Sequence, residues 1–203
     1  MSAEFPTHRG RQTQAAIDTA ARTVVARKGI LATTIADIAA EADRSAASFY
    51  NYYDSKEAMV RQWALRFRDE ANERARSVTR HGLSNRERAH EAAAAHWHTY
   101  RNRLAEVISV SQLAMVNDDF ARYWAEICAI PVSFIAETVR RAQAEGHCPD
   151  DDPQLVAEAI VAMFNQFCYI QLSRQGEADD AACIRTLANI YYRAIYTNGG
   201  EPN

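Results

Sequence analysis

The chain has few of the features that mark a secreted protein, a membrane protein or an enzyme. Its four cysteines, Cys128, Cys148, Cys168 and Cys183, are scattered through the second half of 203 residues with no CxxC pair. This excludes a disulfide scaffold and predicts reduced, mostly buried thiols. The N-terminus lacks an apolar run of the secretory kind, and no stretch approaches the ~18 uninterrupted apolar residues of a membrane span. A cytoplasmic protein without membrane association is expected. There is no P-loop, GxGxxG, GxSxG or HExxH. His90, His96 and His98 are close in sequence, but residues two apart on a helix face different ways and no spaced acid or cysteine completes a metal site. His147 beside Cys148 has no orienting third group, so it reads as a loop, and Asp150, Asp151 and Asp152 read as a solvated loop and helix cap. No enzyme activity, cofactor or metal is expected.

Sheet signals are also scarce. No hairpin dipeptide stands between two apolar runs and no alternating apolar stretch is long enough for a strand. The pattern predicts an all-α protein with a small three-helix domain over residues 1–54 and a helical bundle over 55–203. Helix one should run from about Gln12 to Lys28, closed by Gly29. A long fourth helix from near Ser55 to about Arg80 should be followed by helices at about Asn85 to Arg103, Leu104 to Val116 and Asn117 or Asp118 to Glu145. Pro131 should kink the last of these. Asp152 and Pro153 predict a capped helix to about Arg174, and Asp179 or Asp180 opens a final one to about Tyr196.

What is present is concentrated between Thr34 and Met59, TIADIAAEADRSAASFYNYYDSKEAM. Thr34 can accept from a free backbone N–H and Asp37 favours the positive end of a helix. Ile35, Ile38, Ala39 and Ala42 then form one narrow apolar stripe. The helix should stop near Asp43 and Arg44, since Asp tolerates a left-handed turn and Ser45 is a second cap. From Ser45 the next helix leads with Ala46, Ala47 and Ser48 and carries Phe49, Tyr50, Tyr52 and Tyr53 in its body. Asp54 or Ser55 caps a third, with Glu57 placed for a capping box from Asp54.

Two helices joined by so short a turn are a helix-turn-helix, and the second has the small leading end that a DNA major groove admits. Ser48 can reach a base edge, the methyl groups of Ala46 and Ala47 can lie on thymine, and Arg44 can reach guanine or a phosphate. Thr34, Tyr50, Tyr52, Lys56 and the free N–H groups at the helix starts suit phosphate oxygens, whereas Phe49 and Tyr53 read as core. The net charge of -3 is unevenly distributed. Residues 1–80 hold 13 Lys and Arg against 10 Asp and Glu, and residues 81–203 hold 10 against 16. A modestly basic head can therefore approach DNA over the ~10 Å Debye length while an acidic body stays clear. Arg9 and Arg11 stand in a leading segment that either reaches an adjacent groove or is unstructured.

At these residues the chain resembles the DNA-binding domain of the TetR family of bacterial transcriptional regulators. The resemblance rests on the core from Ser45 to Glu57 and extends back through TQAAIDTAARTVVARKGI, covering roughly the first quarter to third of the chain. It implies that Thr34, Ser45, Ala46, Ser48, Tyr50, Tyr52 and Lys56 face double-stranded DNA. Asp43 stands where a glycine is common, Arg44 replaces an aliphatic residue, and Ala46 and Ala47 replace a frequent basic residue and Gly or Pro.

The last two helices, LVAEAIVAMFNQFCYIQL and ACIRTLANIYYRAIY, are apolar on more than one face. They should meet their own domain on one side and a second copy on the other, as in TetR-like homodimers reading a palindromic operator. The second half also offers Trp97, Tyr100, Leu104, Met115, Phe120, Trp124, Ile127, Phe164 and Asn165, a set of rings and Met with one amide that suits a small apolar or amphipathic effector. Here the chain is distantly similar to the actinobacterial ethionamide-resistance repressor branch, in which residues matching Trp124 and Asn165 border a lipophilic tunnel. The sequence thus predicts a dimeric, ligand-responsive transcriptional regulator, a repressor released by its effector. The alternative is a small-molecule sensor or carrier whose DNA head lacks specificity, because no basic residue stands at Ala46.

Overall fold

The computed structural model describes residues 8–77, 82–147, 151–174 and 178–196, and every regular element within them is an α-helix. In order these are α1 (His8–Lys28), α2 (Ile35–Glu41), α3 (Ala46–Tyr50), α4 (Lys56–Ser77), α5 (Asn85–Ala114), α6 (Asp118–Ala144), α7 (Pro153–Leu172) and α8 (Asp180–Tyr196). Two compact units result, and neither is continuous in sequence. One combines Met1–Phe67 with Ala105–Trp124, and the other combines Arg68–Leu104 with Ala125–Asn203. This division cuts across the sequence boundary after residue 54. The expected end of α4 near Arg80, as well as Cys148 and Asp150, lies outside the described residues.

Local chemistry accounts for most helix ends. α1 starts at His8, four residues before the expected Gln12, so Arg9 and Arg11 are exposed helical residues. Thr34 and Asp37 close a full capping box on α2: Thr34 Oγ1 accepts from the Asp37 amide at 3.1 Å, and Asp37 Oδ2 accepts from the Thr34 amide at 2.8 Å. α2 ends in a Schellman motif, in which the Arg44 amide donates to Ala39 O at 2.9 Å and the Asp43 amide to Ala40 O at 3.2 Å. Asp43 holds the left-handed position of this motif, with φ 52°. Ser45 caps α3, and Asp152 with Pro153 starts α7.

Three expectations are corrected. Tyr52 and Tyr53 are not in the body of α3, which stops at Tyr50 because the amides of both donate back to Phe49 O in a turn, at 3.0 and 3.1 Å. The cap of α4 is Ser55, whose Oγ accepts from the Ala58 amide at 3.0 Å, in place of a box between Asp54 and Glu57. α6 is helical throughout with Pro131 inside it. The interruption falls instead at Arg103 in α5, where φ −134° and ψ 28° separate two helical halves close to the expected break before Leu104.

The core of the first unit gathers Ile17, Val24, Val25, Ile30, Ile38, Phe49, Met59 and Trp63. Its least expected feature is the treatment of the α1–α2 loop. The Ile30 amide donates to Gln112 Oε1 on α5 at 3.0 Å, while Lys56 Nζ on α4 donates to the carbonyls of Ile30 and Thr33 at 2.9 and 3.0 Å. Thr33 Oγ1 closes the loop by donating to Gly29 O at 2.7 Å. Nearby, Arg22 lies over the Trp63 ring at 5.1 Å and pairs with the buried Glu106 at 3.0 Å. The α5 residues after the break are thus integral to the N-terminal head.

In the second unit, Trp97 and Tyr100 on α5, Val132, Ile135 and Val139 on α6, Ile160, Val161 and Phe164 on α7, and Leu187 and Tyr191 on α8 are buried. α7 has the length and apolar content of a membrane-crossing helix, and it buries one face made of Ala157, Ile160, Val161, Phe164 and Cys168.

Gly29 is held at φ +75°, and a Cβ there would lie 2.8 Å from Gln112 Oε1. Gly29→Ala is therefore expected to cost about 2 kcal/mol, combining left-handed strain with a displaced amide, and urea denaturation will measure it. Acid provides a second test. Lys28, at 2.6 Å, and the Thr34 hydroxyl and amide hold the Asp37 carboxyl well below the usual carboxylate range. A carboxylate depressed in the folded state stabilises the fold above its unfolded pKa of about 4 and loses that contribution as pH falls further. The acid side of the stability curve should therefore be shallower in Asp37→Asn than in the parent, and equal slopes would contradict the assignment.

Candidate nucleic-acid interface

The residues predicted to meet DNA divide by exposure. Arg44, Ser45, Ala46 and Ala47 are all exposed at the leading end of α3, and Ser48 is half-buried with its Oγ 3.1 Å from Ser45 Oγ. Arg44 Nη1 also donates to Asp43 O at 2.7 Å, which folds the guanidinium back along the turn. Behind this front, Phe49 is buried and anchors the helix, with Tyr50 edge-on to it at 5.9 Å. Tyr50 itself is 56% exposed, and Tyr52 is half-buried. Five residues suffice for such a helix because its cap, its anchoring ring and the turn on each side are all fixed by local bonds.

Tyr53 is core, as its pattern suggested, and it also joins a polar knot. Its hydroxyl donates to Asp18 Oδ1 on α1 at 2.7 Å and accepts from Gln14 Nε2 at 3.2 Å. Burial, reinforced by Asp18, pushes the phenol up to about 12. Arg66 stands 3.8 Å from the other Asp18 oxygen. This knot and the Ile30 clamp fix α1 and the α3–α4 turn to one another.

Two predicted phosphate contacts are already engaged. Lys56, expected on an exposed first turn, is half-buried and donates to loop carbonyls because the α1–α2 loop ends within its reach. Thr34 is exposed, but its hydroxyl donates to Asp37 Oδ2 at 2.6 Å. Both build the scaffold under α3. Sequence reasoning missed Gln112 and Glu106, which do the same from α5.

The predicted effector contacts are divided between the two units. Trp97, Tyr100, Leu104, Ile127, Phe164 and Asn165 belong to the second unit, whereas Met115, Phe120 and Trp124 belong to the first. Met115 lies past the end of α5 and is 84% exposed, and Phe120 is buried against the Tyr123 ring at 5.8 Å. In the second unit Asn165 Nδ2 donates to Cys128 Sγ at 3.7 Å. His96, which the spacing argument had set aside, stacks on Tyr100 at 5.2 Å and meets Phe164 edge-on at 5.3 Å. Burial pulls its imidazole down to about 4, with the Asn165 side chain opposing the shift. Burial likewise pushes the Cys128 thiol up to about 11 and Cys168 up to about 12. The cluster is therefore uncharged at neutral pH. The three described cysteines are free, and no group of three or more potential metal ligands gathers among the described residues.

Residues 17–62 match the sequence model of "Bacterial regulatory proteins, tetR family". No protein of curated function matches the sequence. Among solved structures, a bacterial regulatory protein of the tetR family from Rhodococcus RHA1 superposes with a TM-score of 0.71 at 18% identity, covering 91% of this chain and 97% of that one. The fatty acid degradation regulator FadR of Bacillus halodurans gives 0.65 at 16% identity, covering 97% and 100%. FadR of Bacillus subtilis, in complex with stearoyl-CoA, gives 0.62 at 15%, covering 90% and 100%. At such identities these likenesses establish the fold. Residues 17–62 are thus similar to the helix-turn-helix region of bacterial regulatory proteins of the tetR family, and the all-helical fold is the one that these solved regulators have.

Proposed function

We propose that this protein is a cytoplasmic, homodimeric transcriptional repressor that binds a two-fold symmetric DNA operator and is released by a small lipophilic effector, without enzymatic activity. The observation that carries this reading is the exposed front of α3: Ser45, Ala46 and Ala47 project no bulky side chain, Arg44 precedes them in the turn, and the Phe49 ring anchored behind them is buried. Such a front can approach base edges in a major groove, with Arg44 and Ser48 as specifying groups and Tyr50 and Tyr52 toward phosphates. Dimerisation is supported by large apolar residues left exposed on α7 and α8, Leu155, Tyr169, Ile170 and Ile190. The effector contacts are assigned to Trp97, Tyr100, Leu104, Ile127, Phe164 and Asn165. The stearoyl-CoA complex of the Bacillus subtilis relative supports a lipophilic ligand in a body of this fold.

A second reading is a ligand sensor whose head binds DNA without specificity. It is favoured by the uncharged Ala46 and by the commitment of Lys56 to loop carbonyls.

Footprinting on the protein's own promoter separates the two. One salt-sensitive footprint of about 15 to 30 base pairs supports the repressor, and uniform weak protection supports the sensor. Arg44→Ala should relax sequence preference by about 1–3 kcal/mol at one base position, and Ser48→Ala should also alter preference. Tyr50→Phe should weaken binding to every sequence about fivefold, the value of one neutral hydrogen bond. Lys56→Met should lower the melting temperature together with DNA affinity, leaving carbonyls of Ile30 and Thr33 without their donor. Affinity lost at unchanged stability would make Lys56 a direct phosphate contact instead.

A further inference from the structure

Left-handed backbone occurs at four of the described residues. Three are glycines, Gly29, Gly82 and Gly146, and the fourth is Asp43 at φ 52°. The conformation strains any residue with a Cβ, and aspartate tolerates it best when its short side chain hydrogen-bonds to nearby backbone. Asp43 makes no such bond. Among the described residues nothing donates to its carboxylate, and Arg44 Nη1 turns to its main-chain carbonyl instead, at 2.7 Å.

The charge is as unsupported as the conformation. The acids of α1 and α2 each stand beside a cation: Asp18 is 3.8 Å from Arg66, Asp37 is 2.6 Å from Lys28, and Glu41 is 3.4 Å from Arg27. Asp43 pairs with no cation among the described residues. It is exposed two positions ahead of the Ser45 cap, on the front assigned above to DNA, a polyanion. A glycine here would remove both the strain and the repulsion.

We propose that Asp43 is a specificity-determining residue, whose carboxylate accepts from the N4 amino group of a cytosine in the major groove. A carboxylate accepts and does not donate. Guanine presents two acceptors in that groove, and thymine presents an acceptor and a methyl group, so neither can satisfy it. Adenine sets its amino group beside the N7 acceptor, whereas cytosine presents its amino donor alone. Arg44, the next residue, carries the fork of donors that suits guanine O6 and N7. Consecutive side chains thus offer an acceptor and donors, the two halves of a preference for G·C. This proposal rests on the operator reading above and names one base that the operator holds.

The test selects duplexes from a random library with the full-length protein at fixed salt. Affinities are then measured for the selected site with each of the four base pairs at every position. The parent should prefer cytosine at one position by about tenfold. Asp43→Gly should flatten that preference without lowering the melting temperature, and should bind random duplex more tightly because a negative charge is gone. Asp43→Asn should move the preference to adenine, since an amide pairs with N6 and N7 together. Asp54, exposed and also unbonded among the described residues, supplies the control for charge alone, and Asp54→Asn should leave cytosine preferred. A parent with no preference for cytosine at any position overturns the proposal. So do Asp43→Gly and Asp43→Asn variants that keep the parent's preference throughout, or that change it no more than Asp54→Asn does. A parent that selects no sequence at all overturns the operator reading as well, whereas a selected site read identically by parent and Asp43 variants overturns this proposal alone.

Discussion

The backbone of Ile30 is gripped at both its N–H and its C=O, and the N-terminal head is built around that grip. Its N–H is taken by Gln112 from α5 and its C=O by Lys56 from α4. Loop backbone withdrawn from water must find such partners or sit at the surface. Here the loop runs inward because two long side chains satisfy it, which fixes where α2 can begin. Thr34 then caps α2, Asp43 turns the chain, and Ser45 starts α3, whose Phe49 is buried. The slim α3 can stay free of packing duties because the structure behind it is held by side chains from α1, α4 and α5.

A division of labour among the aromatic residues follows. Phe49 and Tyr53 lie inward, and Tyr53 is tied to Asp18 through its hydroxyl; Tyr50, next to Phe49 in sequence, faces water. Neighbouring residues on one turn thus serve opposite purposes, and this is how so short a helix can be rigid and accessible together. In the second unit polarity is reversed, with the uncharged His96 and Asn165 placed inside a ring-lined core.

The parts of the fold legible in the sequence are those governed by short-range chemistry. Thr34 with Asp37, Ser45, the left-handed Asp43, Asp152 with Pro153 and the break beside Leu104 all depend on partners within about a turn, and the chain states both members of each pair. The direction of Lys56 was not legible, since its acceptors lie 23 to 26 residues back and a lysine at a helix start usually faces solvent. Gln112 and Glu106 were unreadable for the same reason at separations of 82 and 84 residues. The packing of His96 was not legible because its edge-on partner Phe164 comes from another helix, α7. Composition could suggest a ring-rich body but not which rings share a unit, and Met115 and Phe120 fell on the other side of that division.

The reading head is not a stretch of gene. Ala105–Trp124 fold with Met1–Phe67, and the intervening Arg68–Leu104 belong elsewhere. An engineer who exchanges heads among regulators by splicing after the helix-turn-helix would leave Glu106 and Gln112 behind, and import strangers facing Arg22 and Ile30. For a chimaera to keep the first unit whole, the crossover must be made twice, so that the α5–α6 corner travels with the helices it supports.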